Sequence, residues 1–424
     1  MCALEALRRT RADGAFSNIV LDAVLRESKL SKADKAFATA LYYGVLERNI
    51  TLEYIINSFC NSGKKVAPLV MDCLKLGLYQ IKYMDKIPQS AAVNETVKLA
   101  KKKCGGAAGF VNALLRRACR EEVSLPEGDG AYALSIRYSC DKSLVMELKR
   151  ELGTETAERF LADSLNSAPI YIRVNTLKTN QTDLAQRLGE ICQCEPTGLP
   201  NALKLKGIGG LESNPLFEEG LFHVEDLAAQ WAVKALDLQA GQRLLDMCSA
   251  PGGKAFSAAQ HMENRGEIIA CDLYENRVNL INGGAKRLGI NIISAKVMDS
   301  TLHSPELGEF DRVLCDVPCS GLGIIRRKPD IKYKSADEFA ELPRIQLAIL
   351  QNGAKYLKKG GRLVYSTCTL RKEENRDVVD AFLAANPDFR LLPCFIAGES
   401  GGEKTFLPEI DGSDGFYVAV LIKE

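Results

Sequence analysis

The sequence predicts a doubly wound α/β domain preceded by an all-α domain, with a small α+β domain between them. Three observations carry that expectation. Residues 1–122 place apolar side chains at helical spacing throughout. From about residue 221, short apolar runs alternate with helix-length segments. One of those runs, in Arg243–Lys254 (RLLDMCSAPGGK), ends in a small-residue turn of the kind that opens a βαβ unit. A length of 424 residues, 46% hydrophobic and 26% charged, suits a globular chain of two or three domains. The expected boundaries are 1–125, 131–220 and 221–424.

In the first domain, Ala33–Leu46 and Leu69–Met84 are amphipathic helices, with stripes such as Leu74, Leu78 and Ile81 forming core. Pro88 opens the next helix, which ends in Lys101-Lys102-Lys103, and Phe110–Arg120 closes the bundle with Arg116, Arg117 and Arg120. Residues 1–125 hold 20 Lys and Arg against 12 Asp and Glu, a net of +8, so the overall +1 hides a remainder of −7. The cationic helix ends complement helix dipoles or contact the phosphates of a polyanion, and pattern alone favours neither. Residues 123–130 (VSLPEGDG) are a linker by composition. Helices near Leu144–Leu152 and Thr156–Leu165, a strand at Ile170–Val174 and a helix near Thr182–Gly189 make the small α+β domain.

Strands of the last domain are expected at Arg243–Met247, Glu267–Cys271, Ile292–Val297, Phe310–Cys315, Gly361–Thr367 and Phe416–Ile422. The loop Cys248-Ser249-Ala250-Pro251-Gly252-Gly253 and Lys254 lies where open α/β sheets bind ligands, and its glycines allow close approach of backbone. It matches neither the dinucleotide fingerprint nor the P-loop, and taken alone it is also an ordinary structural turn. Asp272 ends the second strand, nineteen residues after Gly253, where a carboxylate accepts ribose hydroxyls or caps the following helix. Asp299 and Asp316 end the third and fourth strands, so three carboxylates face one crevice. Cys319 and Cys368 occupy equivalent places just beyond two strands. If those strands are neighbours, both sulfurs reach the crevice, whereas Cys271 and Cys315, inside strands, are plain core.

Other chemistry is excluded or disfavoured. Fourteen irregularly spaced cysteines without a C-x-x-C, and only His223, His261 and His303, argue against zinc or any metal and for reduced thiols. No apolar run spans a bilayer and the Arg- and Glu-rich start is unlike a signal peptide, so a cytoplasmic protein without membrane contact, and a monomer, is expected.

Asp246–Lys254, Asp316-Val317-Pro318-Cys319, Thr367-Cys368-Thr369 with Glu373-Glu374-Asn375, and Asp414-Gly415-Phe416-Tyr417 resemble motifs of the NOL/NOP/Sun RNA cytosine-5 methyltransferases. Tyr43-Gly44-Val45-Leu46, Gly77-Leu78-Tyr79-Gln80, Ala91–Glu95 and Phe110–Arg116 resemble the NusB-type RNA-binding helical domain. The pairing is similar to the bacterial small-subunit rRNA methyltransferase B (Sun/Fmu) family and covers nearly the whole chain. The resemblance implies a Rossmann-like class I methyltransferase domain and S-adenosyl-L-methionine as cofactor, held by Cys248, Ser249, Ala250, Pro251, Gly252, Gly253 and Lys254, with Asp272 on the ribose, Asp299 near the adenine and Asp316 also at the cofactor. It implies small-subunit rRNA as partner, Cys368 as the nucleophile toward carbon 6 of a cytosine, Asp316 at ring nitrogen 3, and Cys319 in release. Lys254 would face the base or the cofactor carboxylate. One departure is Glu225, where the family usually carries Gln before the Asp, which bears on a loop contact rather than on the chemistry.

The basic run Ile324–Lys334 (IIRRKPDIKYK) is expected to meet phosphates beside the crevice. A non-catalytic RNA-binding factor with a decayed methyltransferase fold is the rival reading; it predicts damage to the cofactor or cysteine motifs, and both stand intact.

Overall fold

The computed structural model describes residues 1–13, 17–60, 65–211 and 214–424. They form two compact units, one of residues 1–166 with 325–336, the other of 167–324 with 337–424. No helix among the described residues is long and apolar enough to cross a membrane.

The first unit is helical. The expected periodic segments are the helices Lys32–Glu47, Pro68–Tyr83, Gln89–Lys103 and Ala108–Ala118, joined by Cys2–Asp13, Ser17–Arg26 and Asn49–Phe59. Local chemistry sets their starts: the Ser31 side chain accepts from the Asp34 amide, and Pro68 stands in the first turn, where a missing N–H goes unnoticed. Leu74 and Leu78 are fully buried, as their stripe predicts. Lys101, Lys102, Lys103, Arg116 and Arg120 are all exposed. Three further helices, Ala131–Tyr138, Lys142–Leu152 and Thr154–Asp163, complete the unit.

The basic run after Cys319 overturns its expectation. Residues 325–336 pack inside the helical unit rather than standing free as a phosphate rail. Ser17 donates to Asp330 at 2.6 Å, Tyr333 donates to the Leu46 carbonyl, the Asp141 amide donates to the Lys332 carbonyl at 2.7 Å, and Arg326 pairs with Asp163 at 3.0 Å. Of the five basic side chains only Lys328 is exposed. Lys332 is wholly buried, its ammonium donating to the Glu47 carbonyl at 3.2 Å, and burial lowers its pKa to about 8. Ile325, Pro329 and Ile331 supply the apolar surface that draws the segment in.

The second unit contains two sheets. Strands β1 (Ile170–Val174), β2 (Gln193–Pro196), β3 (Ala202–Lys206) and β4 (Phe222–Val224) form an antiparallel sheet in the order β2-β3-β1-β4, with the helix Gln181–Gly189 burying Leu184 and Leu188 against it. The larger sheet is built from β5 (Arg243–Asp246), β6 (Glu267–Asp272), β7 (Ile293–Val297), β8 (Phe310–Asp316), β9 (Leu357–Thr367), β10 (Phe389–Leu391), β11 (Glu403–Phe406) and β12 (Phe416–Lys423). Its order is β10-β12-β9-β8-β5-β6-β7, with β11 paired to β12. The strands from β9 to β7 run parallel, while β12 is antiparallel to β9. The chain leaves β5 for β6 and β7 on one side and returns to β8 on the other. The crevice above β5 and β8 is therefore the topological switch point, where backbone groups splay and ligands bind. The condition placed on the two cysteines is met: β8 and β9 are neighbours, with Asp316 opposite Ser366.

Candidate active site

Strand β5 carries Asp246 to the switch point, and the turn that follows is shaped by its own backbone. The Ser249 amide donates to the Cys271 carbonyl at 2.7 Å and the Gly252 amide to the Ser249 carbonyl at 2.8 Å. The Ala250–Pro251 bond is cis, and Gly252 sits at φ +110°, a conformation closed to other residues. A side chain at Gly252 would also strike the Phe256 ring at 2.4 Å. The helix Gly253–His261 starts there, so its first amides and Lys254 face the crevice.

A cavity of ≈ 200 Å³ opens at this point, lined by Glu225, Asp226, Ala229, Asp246, the turn Cys248–Pro251, Gly253, Lys254 and Asp316. Lys254 pairs with Asp316 at 2.7 Å, and the Ser366 hydroxyl donates to the other Asp316 oxygen at 2.7 Å. Burial opposes the Lys254 charge, yet Asp316 more than offsets it, and the ammonium is held above its ordinary value. Asp246 is wholly buried and neither carboxylate oxygen has a hydrogen-bond partner. Burial pushes its pKa up to about 7, with the Asp316 charge adding to the effect and the nearby Ser249 hydroxyl opposing it. A buried carboxylate at a cavity wall, eased only by Ser249, the Cys248 backbone and the Lys254 charge nearby, favours a further cationic partner.

Glu225, the departure noted in the sequence, lines the same cavity. One of its oxygens accepts from Ser257 and lies 3.4 Å from the His223 ring nitrogen; the other is unpartnered. Burial pushes its pKa up, but His223 and Ser257 outweigh that and hold it low. At the far strands, buried Asp272 accepts from the Tyr274 amide at 3.2 Å and lies 3.4 Å from Arg277. Asp299 is exposed and accepts from both the Thr301 amide and hydroxyl, which lowers its pKa.

Beyond β8 and β9 the two cysteines meet. Their sulfurs are 3.2 Å apart, and the Cys368 amide donates to the Cys319 sulfur at 3.3 Å. The hydrogen bond with Cys368 and burial together push the Cys319 thiol well above its ordinary value. The structure thus brings Cys248–Lys254, Asp316, Cys319 and Cys368 to one edge, with Asp272 at the adjoining strand end and Asp299 on the surface beyond it. The sequence places Asp246 in a motif but gives it no role. Its signal is local, an acid closing an apolar strand, but its isolation comes from distant residues. The terminal Asp414–Tyr417 motif also belongs here: the Asp414 amide donates to Asp226 at 3.1 Å, and Lys254 lies 5.3 Å from the Phe416 ring centre.

Residues 233–422 match the family described as 16S rRNA methyltransferase RsmB/F, and residues 1–120 match the NusB family. A probable ribosomal RNA small subunit methyltransferase B of Bacillus subtilis (strain 168) is 37% identical, over 100% of this chain and 98% of its own. The corresponding Synechocystis protein is 34% identical over 98% and 97%. Among solved structures, that of PH0851 superposes with a TM-score of 0.83 at 26% identity, covering 100% of this chain and 98% of its own. A methyltransferase homologue from Pyrococcus horikoshii gives 0.62 at 29% identity over 70% and 100%.

Proposed function

Because this chain belongs to the 16S rRNA methyltransferase RsmB/F family, with a NusB-family domain ahead of the catalytic one, we propose that it methylates carbon 5 of a cytidine in small-subunit rRNA through a transient thioether to Cys368. The observation that carries the reading is the pair of sulfurs 3.2 Å apart beside the Lys254–Asp316 pair. When bound, S-adenosylmethionine supplies an electrophilic methyl group on a sulfonium. The residues fit that cofactor. The turn Cys248–Pro251, Gly253 and Lys254 line a cavity of ≈ 200 Å³ that Asp246 also borders, so its carboxylate can meet the cofactor's ammonium, and Asp272 stands at the strand end suited to ribose hydroxyls.

Carbon 5 of cytosine is a weak nucleophile. Attack by the Cys368 thiolate forms a sulfur–carbon 6 bond and moves the ring electrons onto carbon 5 and nitrogen 3. In this reading Asp316, paired with Lys254 at 2.7 Å, shares a proton with nitrogen 3 and neutralises the charge that develops there. Carbon 5 would then form its bond to the methyl carbon as the sulfonium's bond to that methyl breaks, the electron pair staying on the departing thioether sulfur. In release, the carbon 5 proton is lost to a base, its electron pair restores the ring double bond, and the Cys368 thiolate departs. Cys319 serves this step. In the resting protein the two sulfurs lie within hydrogen-bond distance, so a proton can pass between them. Residues 1–125 present exposed lysines and arginines for RNA phosphates, and residues 221–424 hold the cofactor and the thiols.

The test is the division of labour between the sulfurs. Cys368→Ala is expected to abolish methylation and form no RNA adduct, whereas Cys319→Ala accumulates an adduct that survives denaturing electrophoresis. The double variant should behave as Cys368→Ala. Adducts with the roles exchanged, or methylation retained in both variants, would overturn the reading. Bisulfite sequencing of rRNA from a deletion strain locates the target.

A further inference from the structure

The two cysteine loops come from different strands, and their registry is set by one short turn, Lys372–Asn375. Glu374 is wholly buried, and one of its oxygens accepts from the Ser320 amide at 2.8 Å and from the Gln346 side-chain amide at 2.8 Å. Its other oxygen lies 3.3 Å from the Arg371 guanidinium, which balances the charge. Asn375, next in the chain, accepts from the Thr367 hydroxyl and donates to the Thr369 carbonyl at 3.0 Å. Ser320 and Thr369 each follow one of the cysteines, and their hydroxyls bond to each other at 2.7 Å. Gly323 donates to the Cys368 carbonyl at 3.0 Å, and a side chain there would lie 1.9 Å from the Gly415 carbonyl oxygen, so the loops meet backbone to backbone.

We infer that Glu374 and Asn375 are positioning residues, Glu374 fixing the Cys319 loop and Asn375 the Cys368 loop, so that two consecutive residues set the separation of the reactive sulfurs. The roles of the sulfurs rest on the thiol mechanism proposed above; the separation itself does not. Neither residue has an apolar substitute. Glu374 holds a backbone amide of one loop, and Asn375 uses both ends of its amide on the other, where Asp offers no donor to the Thr369 carbonyl.

The separation is read directly by oxidation with a diazenedicarboxamide. It takes two protons and two electrons from the thiols, forms the Cys319–Cys368 disulfide and is reduced to the hydrazine. Peptide mapping by mass spectrometry reports the rate at that pair. Cys73 and Cys104, with sulfurs 3.6 Å apart in the helical unit, serve as an internal reference. Glu374→Ala and Asn375→Asp are each expected to slow the Cys319–Cys368 disulfide by about tenfold to hundredfold, the usual effect of losing a hydrogen bond at a charged or buried site. The reference pair should be unchanged, and Glu374→Gln, which keeps an acceptor for the Ser320 amide, should recover most of the rate. In RNA assays Glu374→Ala should retain the adduct as Cys319→Ala does, with kcat lowered and KM for cofactor unchanged. Asn375→Asp should suppress the adduct that Cys319→Ala otherwise accumulates. Disulfide rates in Glu374→Ala and Asn375→Asp equal to that of wild type would overturn the inference whatever the RNA assays show. Absence of any adduct from Cys319→Ala would instead overturn the thiol mechanism and leave the disulfide result to decide the positioning roles. If Glu374→Ala fails to fold, Glu374→Asp, one methylene too short to hold the Ser320 amide, takes its place with the same slowing expected.

Discussion

Asp246→Asn should stabilise the cofactor-free protein at alkaline pH while weakening cofactor binding. The carboxylate is wholly buried, has no hydrogen-bond partner, and is raised from 3.8 to about 7. Between those values the folded state holds a proton that the unfolded state has released, so stability falls as pH rises and levels off above 7. Each unit is about 1.4 kcal/mol, so ionised Asp246 disfavours folding by about 4 kcal/mol at pH 8, of which about 3 kcal/mol develops above pH 5. The amide cannot ionise, but it leaves polar atoms unpaired at a cost of about 1–3 kcal/mol. That cost is the same at both pH values and cancels in their difference. Urea unfolding of wild type and Asp246→Asn, without cofactor, should therefore show a stability difference about 3 kcal/mol more favourable to the variant at pH 8 than at pH 5. Calorimetry at pH 8 should show the variant binding S-adenosylmethionine more weakly. A stability difference that does not change with pH would refute the isolation of this carboxylate.

Asp272→Ala should weaken S-adenosylmethionine by calorimetry with the thermal midpoint nearly unchanged; unaltered affinity would remove Asp272 from the site. Replacing Lys101, Lys102, Lys103, Arg116 and Arg120 by Ala in the full chain should weaken RNA binding and flatten its dependence on salt. The slope should drop by about 0.7–0.9 for each phosphate no longer neutralised, and an unchanged slope would assign those charges to the helix dipoles. Lys332→Met should stabilise the protein at pH 7. The buried amine, lowered from 10.5 to about 8, disfavours folding by about 3 kcal/mol when charged, and that penalty fades as pH rises from 8 to 10.5. Denaturant midpoints at pH 7 and pH 10 check the sign.

Much of the catalytic half was legible in the chain because its signals are local. An apolar run closed by an acid and a small-residue turn fixes strand, loop and helix start together, which is why Asp246, Gly252 and Asp272 fall where the pattern places them. The two cysteines required only that β8 and β9 be neighbours. The short strands β2, β3, β4, β10 and β11 are not legible, since three to five residues give too little alternation to separate a strand from a loop. The basic run after Cys319 misleads for a related reason. Lysine and arginine read as surface, and nothing within Ile324–Lys334 announces that Tyr333 and Asp330 find partners far earlier in the chain, at Leu46 and Ser17. The sequence alone determined the family, the order of its motifs and the chemical types at the crevice. Only the tertiary structure decided which charges are paired, Lys254 with Asp316, which is left alone, Asp246, and which residues bracket the sulfurs, Glu374 and Asn375. The division is physical: backbone geometry is set by neighbours in sequence, whereas solvation, ion pairing and the distance between two thiols are set by neighbours in space.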